Sequence, residues 1–271
     1  MPELPEVETA RRGIAPHLVG HRVTAVVVRD RRLRWPVPAA LLKELPGQRI
    51  EDVARRGKYL LLKTRAGTAL LHLGMSGSLR ITSRDTPPLK HDHVDLVMDT
   101  GKALRLRDPR RFGALLWTRD DPGKHKLLRG LGPEPLGDEL DGEYLFEASR
   151  GRKVAVKQFI MDSHVVVGVG NIYASESLFL AAIKPQRAAG RVSRKEYAAL
   201  ARGIKKVLTA SIKAGGTTLR DFAREDGEPG YFSQRLRVYD RAGERCYRCG
   251  GTIAAKATGQ RMTYWCPDCQ R

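Results

Sequence analysis

Four cysteines near the end of this chain constrain its fold more than any other feature. Cys246, Cys249, Cys266 and Cys269 all fall within the last 26 of 271 residues. Their spacing is C-x2-C, sixteen residues, C-x2-C, which lies in the range where two knuckles supply four thiolates to one tetrahedral zinc ion. Two disulfides are the competing reading. The N-terminus carries no apolar leader core, so the protein is expected in the cytoplasm, where thiols stay reduced. One Zn2+ with a structural role is therefore expected, since four protein ligands leave no open position for a substrate. The segment 236–271 is also too short to bury a core without its metal.

Charge narrows the partner. Forty-nine Lys and Arg stand against thirty Asp and Glu, a net charge of +19. Such an excess suits a polyanion, nucleic acid above all. A ribosome-associated or merely basic soluble protein is the plainer alternative. Hydrophobic residues make up 41%, enough to form cores, and no run approaches the ~20 apolar residues of a membrane span.

Patterning along the chain predicts an α+β protein in three parts. Val7, Ala10, Ile14 and Leu18 recur at helical spacing, which predicts a helix over 5–19 stopped by Gly20. Eight short apolar or alternating runs follow: 23–28, 49–54, 59–64, 69–73, 79–82, 94–98, 103–106 and 114–117. Gly, Pro and Asp clusters separate them, a pattern that predicts a β-sandwich. The loop 130–137 then opens a helical region. Helices are expected over 143–148, 154–161 and 172–182, and a long one to about Ala214 from the capping box Ser193-Arg-Lys-Glu196. A further turn is expected at Thr217–Phe222. The expected domains are 1–130, 131–225 and 236–271.

The first residues, Met1-Pro2-Glu3-Leu4-Pro5-Glu6-Val7-Glu8, admit two readings. Initiator methionine is normally trimmed before a small residue, which would leave Pro2 as a secondary amine. An α-amino group has a reference pKa of about 7.7–8.0, against about 10.4 for lysine, so it is the better nucleophile at neutral pH. Attack on a sugar C1′ would give an iminium, an electron sink for covalent catalysis. The structural reading is a helix start, with Pro5 in the first turn and Glu6 and Glu8 near the positive end of the dipole.

Other stretches divide in the same way. Lys58 enters a strand and could act as a general acid or base, or sit in a solvated turn. His72-Leu-Gly-Met-Ser-Gly77 and Asp108-Pro-Arg-Arg-Phe-Gly113 are either ordinary hairpins or loop tips. As tips they would present Met75, Arg110 and Phe112 to fill the hole left by an extruded base. His91 and His93, two apart on a strand, share a face without a third ligand, which favours phosphate over metal. The turn Val166-Val-Gly-Val-Gly-Asn171 predicts a helix from Ile172 capped by Asn171, with bare N–H groups suited to a phosphate. Arg261 falls where a zinc-held hairpin would turn.

Taken together, Pro2–Glu8, Lys58, His72–Gly77, Lys90–His93, Asp108–Gly113, Val167–Glu176 and the four cysteines closely resemble the bacterial formamidopyrimidine-DNA glycosylase family, in order and from end to end. The resemblance implies a β-sandwich, a helix–two-turn–helix domain and a zinc finger, with DNA in the cleft between them. It implies a monomeric repair enzyme that removes 8-oxoguanine and formamidopyrimidines from double-stranded DNA and then cleaves the strand at the abasic site. Pro2 would be the nucleophile and Glu3 the acid for sugar-ring opening. Lys58 would serve β-elimination, Arg261 δ-elimination, and Glu6 would support the site. Met75, Arg110 and Phe112 match the wedge; His72, His91, Arg110, Arg152, Lys157 and Asn171 match DNA contacts. The loop around Gly215–Phe232 would cover the flipped base. Two alternatives remain at this point: an endonuclease VIII-like enzyme for oxidised pyrimidines, and a non-catalytic zinc-finger DNA-binding protein.

Overall fold

The first helix begins with a reciprocal lock. Glu3 caps it: its side chain accepts from the Glu6 N–H, while the Glu3 N–H donates to Glu6 Oε2 at 2.9 Å. With Pro5 preset in the first turn, this capping box fixes where α1 (Leu4–Leu18) starts. Val7, Ile14 and Leu18 form its buried stripe. The computed structural model describes residues 2–216 and 236–271. It comprises two units, residues 2–130 with 214–216 and residues 131–213 with 236–271.

In the first unit α1 packs beside two four-stranded antiparallel sheets. One has the order β1 (Val23–Val28), β6 (Asp92–Met98), β7 (Lys102–Arg107), β5 (Ser78–Ser83); the other runs β2 (Asp52–Arg56), β3 (Tyr59–Lys63), β4 (Thr68–His72), β8 (Ala114–Thr118). One apolar core gathers residues of α1 with Leu60, Leu62, Leu71, Leu96 and Leu106 from both sheets. All eight expected strands form among the described residues. β2 starts three residues later than expected, because 48–50 pair with 20–23 first: Val23 N–H donates to Gln48 O at 2.9 Å, and Ile50 N–H to His21 O at 2.9 Å. The short helix α2 (Ala39–Glu44) was not foreseen; six residues with one buried leucine give too little periodicity to read.

The second unit carries α3 (Gly142–Ser149), α4 (Val156–Met161), α5 (Asn171–Leu180) and α6 (Arg194–Lys213), followed by the hairpin β9 (Ala254–Thr258) and β10 (Arg261–Trp265). The Ser193 capping box forms as expected: Ser193 N–H donates to Glu196 Oε2 at 2.8 Å and Glu196 N–H to Ser193 Oγ at 3.3 Å. The finger shares a small core with the helices, in which Phe179 of α5 meets Val238, Cys246, Ile253 and Cys266. The turn expected at Thr217–Phe222, most of the 215–232 loop, and Met1 lie outside the described residues.

Candidate functional site

Three carboxylates behind Pro2 have separate duties. Pro2 is buried. Glu3 and Glu6 are 2% and 0% exposed and cap one another's backbone. Gly216, at the end of the first described stretch, lies against Glu6: a Cβ there would sit 3.4 Å from Glu6 Oε1. Glu8 faces a different way. It accepts from Arg11, Arg12 and, at 3.1 Å, Arg55 of β2. Burial opposes its ionisation, yet these guanidinium groups outweigh it and bring the carboxyl down to about 2. Glu8 thus bolts α1 to the strand that leads into Lys58.

Lys58 sits half-buried in the β2–β3 turn, after Gly57 at φ 56°. The neighbouring β4 ends in His72, whose ring lies 4.7 Å from that of Tyr59. Burial first, then the cations Lys58 and Arg34, push His72 down to about 4. Its imidazole is neutral at physiological pH, and Nδ1 accepts the Gly74 N–H at 3.0 Å. His72, expected at the DNA, therefore spends one nitrogen on shaping its own loop.

The two glycine-flanked loops converge. Gly74, at φ 65°, has no room for a Cβ against the backbone of Phe112 and Gly113. Buried Asp108 joins the loops: Oδ1 accepts from Ser76 Oγ at 2.9 Å and Oδ2 from Gly113 N–H at 2.7 Å. Ser76 Oγ in turn accepts the Arg110 N–H at 3.1 Å. Upon this support Arg110 and Phe112 are exposed, the guanidinium 5.2 Å from the ring centre. Met75, in the other loop, is half-buried rather than projecting freely. Asp108 is the residue that motif reading passed over; a carboxylate opening a tight loop, where a backbone N–H needs an acceptor, was the available signal.

His91 and His93 do not share a strand face. His91 precedes β6 at φ 74°, and the β6–β7 register shifts between Asp92 and Val94. His93 is buried, its Nε2 at 2.9 Å from Asp108 O. His91 stays half-exposed; slight burial and then Lys90, His93, Arg107 and Arg111 hold it below the ordinary histidine value. Its setting is cationic and disfavours the protonated form.

In the second unit, Gly170 rather than Asn171 caps α5, and Asn171 is its first residue. Asn171 Nδ2 donates across to Met262 O of β10 at 3.1 Å, while its buried Oδ1 has no protein partner. Lys157 corrects the expectation of a DNA contact. It is 1% exposed, and its Nζ donates to Met262 O at 3.0 Å and Thr263 Oγ1 at 2.8 Å. Its place in the apolar stripe of α4 turns it inward, where these acceptors satisfy the ammonium. Lys157 and Asn171 therefore pin β10 from two helices. Arg261 is exposed at the first position of that strand. The Gly259-Gln260 turn before it has both φ positive, at 56° and 64°, the backbone of a tight hairpin. Arg152 is exposed in the loop after α3. Glu176, another residue the motifs did not single out for a role, is buried in α5 and accepts from the N–H groups of Arg237, Val238 and Tyr239 at 2.9–3.0 Å. Burial raises its carboxyl, with those donors opposing.

The four cysteines form the metal-ligand cluster found among the described residues, with all sulfurs within 4.8 Å of one another. Cys246 and Cys269 Sγ are 3.9 Å apart, and Cys249 and Cys266 Sγ 3.5 Å. A tetrahedral ion with Zn–S near 2.3 Å requires sulfur separations of roughly 3.8 Å. Backbone N–H groups of Arg248 and Gly251 point at Cys246 and Cys249 Sγ, both at 3.4 Å, as thiolates require. The donor set fits one structural zinc.

Comparison with known proteins agrees part by part. Residues 1–115 match the family model of the formamidopyrimidine-DNA glycosylase N-terminal domain, 131–223 its H2TH domain, and 243–271 the zinc finger found in FPG and IleRS. Formamidopyrimidine-DNA glycosylase of Syntrophotalea carbinolica is 61% identical over 271 residues, covering 100% of both chains. The Thermus thermophilus MutM (Fpg) crystal structure superposes with a TM-score of 0.89 at 36% identity, over 99% of this chain and 98% of that one. A Lactococcus lactis FPG mutant in complex with Fapy-dG-containing DNA gives 0.93 at 32% identity, over 100% of both. Locked helix start, paired glycine loops and four-thiolate finger thus occur in one order on one fold, and the chain belongs to the formamidopyrimidine-DNA glycosylase family.

Proposed function

We propose that this chain is a bifunctional DNA glycosylase and abasic-site lyase that excises 8-oxoguanine and formamidopyrimidines from duplex DNA. The observation that carries the reading is the buried Pro2 immediately before a helix whose first turn is locked by Glu3 and Glu6. With Met1 removed, the Pro2 nitrogen is held in one place on the sandwich, as a nucleophile needs. Its lone pair attacks C1′, and the glycosidic electron pair leaves with the base, which takes up a proton. Glu3 protonates O4′ as the sugar ring opens, giving an iminium. That cation acidifies C2′–H; loss of this proton expels the 3′ phosphate, with Lys58 serving the proton transfer. A second elimination, assisted by Arg261, expels the 5′ phosphate, and hydrolysis returns the free amine.

The remaining residues deliver the nucleotide. Met75, Arg110 and Phe112 occupy the gap left in the stack, and unstacking a damaged base costs only a few kcal/mol. His91, Arg152 and Asn171 hold phosphates, and the net charge of +19 supports salt-sensitive, sequence-independent search. Such a substrate places the enzyme in the cytoplasm, at the nucleoid. Borohydride trapping on an 8-oxoguanine duplex tests the reading. A covalent adduct mapping to Pro2 is expected, together with strand cleavage. An adduct formed at full yield on a lysine after Pro2→Gly would overturn it, as would preferential cutting at an oxidised pyrimidine.

A further inference from the structure

The loop between β1 and α2 carries four arginines in six residues, Arg29, Arg31, Arg32 and Arg34. Folding neutralises two of them. Arg29 pairs with Asp95 at 2.6 Å, and Arg32 with Asp30 at 2.8 Å. Arg31 and Arg34 are exposed and have no acidic partner among the described residues. These two differ in what surrounds them. Arg34 N–H donates to Gly113 O at 3.0 Å, so its backbone is tied to the loop bearing Arg110 and Phe112. Asp30 reinforces the tie by pairing with Arg111 at 2.6 Å. The Arg34 guanidinium lies 4.8 Å from the Trp35 ring centre, which restricts a long side chain without using its donors. Its charge is felt by Tyr59, which follows Lys58, and by His72, whose ring lies against Tyr59: it opposes protonation of His72 and the burial-driven rise of Tyr59.

We propose that Arg34 is a DNA phosphate-binding residue, extending the contact surface of the Asp108–Gly113 loop toward Lys58. This rests on the glycosylase reading. A guanidinium held on an aromatic ring, with its charge felt at His72 together with that of Lys58, is best satisfied by an anion. A phosphate diester satisfies its fork of donors. Arg31, on the same loop, lacks the tie to Gly113 and makes no such contact.

The test compares Arg34→Ala, Arg34→Lys and Arg31→Ala on a duplex carrying a non-cleavable abasic analogue, with affinity measured across a salt series. Arg34→Ala should bind roughly tenfold more weakly, and its plot of log affinity against log salt should be shallower by about 0.9, the value of one phosphate contact. Arg34→Lys should restore the slope. Arg31→Ala, with the same loss of charge, should leave the slope unchanged. Equal effects of both alanine variants would overturn the proposal, as would weaker binding by Arg34→Ala with an unaltered slope. Borohydride trapping by the wild-type enzyme reports separately on the glycosylase reading, so failure of one is distinguishable from failure of the other.

Discussion

The loop pair of the sandwich and the zinc finger solve one problem by different means. Both present side chains on turns too short to order themselves. The loops Gly74–Gly77 and Asp108–Gly113 are held by a buried carboxylate, a serine hydroxyl and backbone donors, seated on a core that spans both sheets. The finger contributes four residues to a small core shared with Phe179 of α5, two of them zinc ligands, and its two strands have five residues each. The first is ordered by long-range folding of the chain. The second is ordered by an ion, so its stability is set by metal activity as well as by sequence.

Removing zinc is the strongest way to break that comparison. Structural zinc supplies on the order of 10–16 kcal/mol of apparent binding free energy. Chelation, or Cys249→Ser, should abolish metal binding and amide protection across 236–271 and weaken DNA binding. Protection in strands β1–β8 should persist. Hydrogen exchange followed by mass spectrometry checks this; collapse of both regions together would show that the sandwich also depends on the metal.

Gly74→Ala attacks the other side. The residue has φ 65°, and a Cβ would collide with the Phe112–Gly113 backbone. Strain and displacement together should cost about 3–4 kcal/mol, read as a lower Tm with the zinc content unchanged. A neutral result would mean that the loops do not need their close approach.

The smallest effect appears only in acid. Glu8 is brought down from 4.5 to about 2 by Arg11, Arg12 and Arg55. A depressed carboxyl stabilises the fold above its unfolded pKa and loses that contribution as pH falls from about 4.5 through 2. Up to about 3 kcal/mol is at stake. Glu8→Gln should flatten the stability of the first unit over this window while lowering it at pH 7, as denaturant titration of a zinc-free sample would measure.

Much of this molecule is legible in its residues because the relevant physics is local. Helix starts depend on side chains three positions apart, so Ser193 with Glu196 could be read directly. At the first helix only the Pro5 start and the acidic first turn were read, and the Glu3–Glu6 lock emerged in the structure. Strands are visible where alternation is clean. Zinc spacing is readable because each knuckle is a local chelate. α2 escaped because a single turn and a half has no usable period, and β2 shifted because its preceding residues found partners at 20–23.

By itself, then, the sequence determined the order of the sandwich strands and of the longer helices, the metal ligands and the family, all set by short-range patterns. Only the tertiary structure decided which polar groups face water. It drew Lys157 into the helix–hairpin contact and His93 under the Asp108 loop. It gave Asp108 and Glu176 their buried donors, and it neutralised two of the four loop arginines while leaving Arg34 on the Trp35 ring. A charged residue's destination depends on partners far away in the chain, since burial is tolerated only where opposite charges or hydrogen bonds meet it. No local pattern encodes that.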